Sequence, residues 1–68
     1  MKLSIETDRE DDGRWLAEVR EIPGAMAYGQ TREEAIVRVQ ALTLRVLADR
    51  LEHGEEIPDV VDAFLVTT

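Results

Sequence analysis

Catalysis in this chain would have to be built from very few groups. Ser4 is the only serine and His53 the only histidine, and they lie far apart in the sequence. A serine nucleophile needs a base within hydrogen-bond reach. His53 instead falls where a long helix should end, where a cation meets the negative pole of the helix dipole. There is no cysteine, so disulfides and thiolate metal centres are excluded, and one histidine alone builds no metal site. Asp8, Glu10, Asp11 and Asp12 cluster in one short segment but lack the ordered ligand spacing of a calcium loop. They read as a solvated turn. No glycine-rich phosphate loop is present. The reading is therefore of a protein without catalytic residues, metal or cofactor, whose chemistry is binding.

Charge narrows the partner. Eight basic residues against fifteen acidic ones give a net charge of −7. A nucleic-acid binder normally carries a basic patch, because neutralising phosphates supplies most non-specific affinity. An acidic chain suits a basic protein, such as one that itself handles RNA, and steers that encounter electrostatically. No apolar signal core or membrane-length apolar run occurs, so the cytoplasm is the expected location and no membrane is expected as a partner. Sixty-eight residues make one domain with a small core. A chain of that size buries only about 60% of its unfolded surface and usually needs another source of stability. Without disulfide or metal, that source is self-association.

The elements that must position these groups are legible in order. Leu3 and Ile5 alternate with Ser4 and Glu6, as in a half-buried strand. Asp12-Gly13 supplies a hairpin turn. The second strand, 14–20, places Trp15, Ala17 and Val19 on one face and Leu16 and Glu18 on the other. Pro23 and Gly24 predict a tight turn of type II. Met26–Gln30 forms a third strand antiparallel to the second. Thr31 with Glu34 makes a capping box for a helix from Arg32 to about His53, which Gly54 closes.

That helix is apolar on two sides. Ala35, Val39, Leu42 and Val46, flanked by Ile36 and Leu47, form the stripe expected against the sheet. Val37, Ala41, Leu44, Ala48 and Leu51 form a second stripe roughly opposite, which nothing in a monomer would cover. After Pro58 a last strand is expected over Val60–Thr67, with Phe64 and Val66 on one face and Ala63 and Leu65 on the other. The order is then β-β-β-α-β, an α+β fold. A right-handed crossover gives sheet order 3-2-1-4, with the one helix packed on one face. The outer helix stripe, with Phe64 and Val66, is the expected interface of a homodimer or higher oligomer.

Asp12-Gly13-Arg14-Trp15-Leu16-Ala17-Glu18-Val19, the turn Ile22-Pro23-Gly24, and Tyr28-Gly29-Gln30-Thr31-Arg32-Glu33-Glu34-Ala35 together carry a resemblance. Their types and spacing resemble the N-terminal domain of HicB-type antitoxins over residues 1–66. The resemblance implies a partial RNase H-like fold and a non-enzymatic role. In that role the protein neutralises a small basic HicA-type toxin, an mRNA-cleaving ribonuclease, by covering its active site. Asp11 and Asp12, with Trp15 and Tyr28 as anchors, are the expected toxin contacts. Family members usually continue into a helix-turn-helix or ribbon-helix-helix DNA-binding domain. None follows here, so no direct contact with nucleic acid is expected.

Two alternatives stand beside this reading. One is an orphan, a small oligomeric protein of the same fold with no toxin. The other, less favoured, is an RNase H-like metal-dependent nuclease, for which Glu6, Glu33 or Glu34, and Asp62 would be the candidate carboxylates.

Overall fold

Alternating side chains and two tight turns fold the first half of the chain into a meander. The computed structural model describes residues 2–57, 60 and 62–67. β1 spans Ile5–Arg9, β2 Trp15–Val19 and β3 Met26–Gly29, in one antiparallel sheet of order β1-β2-β3. Ile5 lies opposite Val19 and Arg9 opposite Trp15, while Trp15 also lies opposite Gly29. The first turn closes with the Gly13 amide donating to the Glu10 carbonyl at 2.9 Å, with Gly13 at φ +89°. In the second, the Ala25 amide donates to the Ile22 carbonyl at 3.0 Å across Pro23 and Gly24, the latter at φ +88°. That positive φ at the third position is the type II geometry expected, and it suits glycine.

The helix α1, Arg32–Glu52, also begins and ends where its caps dictate. The Glu34 amide donates to Thr31 Oγ1 at 3.1 Å. The Glu34 carboxylate reaches one residue further back than a capping box requires, accepting from the Gln30 amide at 3.0 Å. At the far end the Glu55 amide donates to the Arg50 carbonyl and the Gly54 amide to the Leu51 carbonyl. This is a Schellman closure with Gly54 at φ +81°.

α1 lies on one face of the sheet, and the core between them is small. Ala17, Val19, Ile22, Ala25, Ala35, Val39, Leu47 and Val60 are buried. The approach is closest where side chains are missing. A Cβ on Gly29 would sit 2.5 Å from the backbone nitrogen of Ala35. Two polar bonds clamp the layers: Arg38 donates to the Tyr28 carbonyl at 3.0 Å, and Arg32 Nε donates to Thr7 Oγ1 at 3.0 Å.

Two expectations need correction. The buried line of the helix is Ala35, Val39, Thr43 and Leu47, while Leu42 and Val46 are only half-buried. Contact with a twisted sheet follows the i±4 ridge, which drifts around the helix and brings Thr43 inward. The fourth strand is the other. Within 60–67, Val61 lies outside the described residues, as do Pro58 and Asp59 of the connector. Successive turn bonds coil what is described, from the Val60 amide to the Ile57 carbonyl and from the Ala63 amide to the Val60 carbonyl. Val60 is buried, but 64–67 joins no strand and lies in solvent. A segment apolar on both faces needs cover on both sides, which one chain does not provide. Among the described residues the architecture is thus a three-stranded antiparallel sheet with one helix.

Candidate functional site

Because successive strand residues face opposite ways, the helix covers Ile5, Thr7, Trp15, Ala17, Val19, Ala27 and Gly29 and leaves the alternate set uncovered. The register sorts that set into two cross-strand rows. Glu6, Glu18 and Met26 form one, and Asp8, Leu16 and Tyr28 the other. Met26 and Tyr28 are each about 40% exposed, large apolar surfaces open to solvent beside three carboxylates. A shallow hollow of about 330 Å³ lies over Glu6, Asp8, Leu16 and Glu18. Glu6 is bridged to Arg20 at 3.0 Å, an exposed pair worth little on its own. Glu18 and Asp8 have no basic partner among the ion pairs of the described residues.

One end of this face is fixed by a relay of charges. Asp12 accepts from the Arg14 amide at 3.0 Å and from Arg14 Nε at 2.7 Å. The backbone bond first, and the guanidinium after it, lower the Asp12 pKa below the usual carboxylate value. Arg14, so held, lies 4.4 Å over the ring of Tyr28. Such a cation–π contact contributes about 0.5–1 kcal/mol at an exposed site. It holds one face of the ring, and Tyr28 stays exposed.

The sequence-derived contacts are therefore only partly brought together. Asp12 and Tyr28 meet through Arg14, and Asp11 is exposed on the adjoining turn. Trp15 is half-buried on the opposite, helix-covered face, packed against the core. Glu6, Asp8, Leu16, Glu18 and Met26 were not singled out as contacts. The signal for them was present in the parity of β2, since a single helix can cover only one side of a sheet.

The second expected surface is also exposed. Val37 and Leu44 are more than 60% exposed, Leu51 and Ala48 are exposed, and Ala41 is half-buried. Phe64 and Val66 are 73% and 84% exposed. As for a catalytic centre, Glu6 lies on the open sheet face, Glu34 serves the helix cap and Asp62 lies in the turn beyond the helix. No group of three or more metal-binding side chains occurs among the described residues. No helix among them is long and apolar enough to cross a membrane.

Among curated proteins, the chain is similar to the UPF0150 protein Ta0767 of Thermoplasma acidophilum. The two are 26% identical over 58 residues, which cover 85% of this chain and 84% of the relative. That name states no enzymatic activity. No family model matches the chain, and no solved structure does.

Proposed function

We propose that the chain is a HicB-like antitoxin domain, a non-enzymatic module that neutralises a HicA-type mRNA-cleaving toxin by covering its active site. The observation that carries this is the uncovered sheet face, where Glu6, Asp8 and Glu18 on β1 and β2 lie beside Leu16, Met26 and Tyr28 on β2 and β3. A toxin that holds RNA must present positive charge. A face with carboxylates along one side and apolar residues along the other complements such a surface and competes with phosphates for it. The motif order Asp12-Gly13, Pro23-Gly24 and Thr31–Ala35 supports the same reading. Self-association belongs to it too, through the outer helix stripe and the 64–67 segment. In this reading that segment completes the partial RNase H-like sheet as its fourth strand, in order 3-2-1-4. The cytoplasm is the matching location.

The test is calorimetric titration of a small basic double-stranded-RNA-binding-fold ribonuclease encoded beside this chain, with an mRNA-cleavage assay in parallel. Wild type is expected to bind and to suppress cleavage. Reversal of charge on the open face, Glu18→Lys, should weaken binding at least tenfold while the fold stays intact by circular dichroism. Tight binding that survives Glu18→Lys and Tyr28→Ala alike would move the contact off this face. Absence of binding to any such neighbour would leave the orphan oligomer as the reading.

A further inference from the structure

The chain carries both halves of a contact that it does not make with itself. One half is the outer edge of β1. The Arg20 amide donates to the Ser4 carbonyl, so the ladder turns Ser4, Glu6 and Asp8 toward β2. Antiparallel alternation then points the backbone groups of Ile5 and Thr7 outward. In the described sheet β2 is the neighbour of β1, and no strand lies on the other side. Near the start of β1 is a hollow of about 360 Å³ lined by Leu3, Val19, Gln40, Thr43 and Leu44. Thr43 is 3% exposed, and its hydroxyl has no hydrogen-bond partner. Natural edges are blunted by charge, proline or cover. Glu6, Asp8 and Arg9 put charge on this strand, but no proline interrupts it and no strand covers the backbone of Ile5 and Thr7 in the described sheet.

The other half is the segment after the helix. Phe64, Leu65 and Val66 are 73%, 87% and 84% exposed, and no charged residue occurs from Ala63 to Thr67. The molecule extends 51 Å along its long axis, and its radius of gyration is 14.1 Å. A folded chain of this length should have a radius of about 11 Å. The segment does not pair with its own β1.

We propose that two copies exchange these segments, each adding 64–67 along the outer edge of its partner's β1 as a fourth strand. One face of the added strand would drop its apolar side chains into the hollow beside Thr43, and its backbone would satisfy Ile5 and Thr7. A second copy seated there also lies against Leu44 and the outer helix stripe, which closure of a chain on its own β1 would leave bare. The exchange deepens the self-association proposed above and requires no toxin.

The chain has no cysteine, so single thiols can be placed without background. One preparation carries Glu6→Cys, and a second, affinity-tagged, carries Leu65→Cys or Val66→Cys, because neighbouring strand residues face opposite sides. The two are mixed in denaturant, refolded together and oxidised. The expected result is a disulfide between tagged and untagged chains for one of the two tail positions. Light scattering of wild type should give twice the 7.7 kDa chain mass. A wild type monomeric at every concentration overturns the proposal. So does a double variant that closes the disulfide within one chain at every dilution. A dimer with no link from position 6 to either tail position also overturns it, while leaving self-association through the helix and the antitoxin reading intact.

Discussion

Glu21 illustrates how much a single exposed side chain decides in a domain this small. Its carboxylate accepts the Ser4 amide at 2.8 Å and so ties the start of the first hairpin to the Pro-Gly turn. That backbone bond, followed by Glu21's own amide, lowers its pKa from the ordinary 4.5. A carboxylate whose folded pKa is depressed stabilises the fold above the unfolded pKa, and that stability is lost as pH falls through the folded value. Asp12, lowered from 3.8 by Arg14, acts with the same sign a little further into acid. The wild type is therefore expected to lose urea resistance as pH falls below about 4.5. Glu21→Gln should be less stable than wild type at neutral pH and should lose less across the acid window. Urea midpoints at pH 7, 4.5 and 3 read this directly, and parallel profiles for the two proteins would refute it. Nothing in the sequence singled Glu21 out. Its partner lies seventeen positions away, and a contact of that range is set by the sheet register rather than by local chemistry.

The elements show where such legibility begins and ends. Both ends of α1, the two hairpin turns and the parity of the strands depend on residues within five positions of one another. Thr31, Gly54, Pro23-Gly24 and Asp12-Gly13 announced them. The close approach of helix to sheet was less visible. Gly29 stands in the sequence as one residue of the third strand, yet it also lies under the first turn of α1. An added Cβ there meets backbone atoms of Glu34 and Ala35 at 2.5–3.0 Å, and neither can swing aside as a side chain would. Gly29→Ala is expected to cost about 1–3 kcal/mol, as overpacking against rigid neighbours does. Chemical denaturation checks this, and a change under about 0.5 kcal/mol would mean that the helix shifts freely on the sheet. The fourth strand is not seen in the described residues, for the complementary reason. Its apolar pattern is a strand pattern, but a strand exists only with a partner edge, and periodicity does not say which edge or whose. The drift of the buried line from Leu42 to Thr43 is likewise a product of sheet twist, which no single-residue property encodes.

At the scale of the whole molecule, the two proposed associations pull against the same net charge of −7 in opposite directions. Two copies meeting each other bring like charge together, with Glu6, Asp8 and Glu18 on the open faces and Asp62 beside the exchanged segment. The contact itself is apolar, so salt weakens the repulsion and leaves the attraction. A basic toxin meets the same carboxylates as opposite charge, and salt then screens what draws the two together. The screening length falls from about 30 Å at 0.01 M salt to about 8 Å at 0.15 M, across the dimensions of this molecule. Between those concentrations the self-association constant is expected to rise several-fold. The association rate with a toxin should fall by a comparable or larger factor, since steering acts chiefly on encounter. Sedimentation equilibrium of the protein alone and stopped-flow mixing with the toxin give the two numbers. If both respond to salt in the same direction, a single surface serves both contacts. The separation of an acidic sheet face from an apolar helix face and tail would then be wrong. If the responses are opposed, ionic strength sets how much of the chain is dimeric when it meets its partner, and the uncovered sheet face remains available in either state.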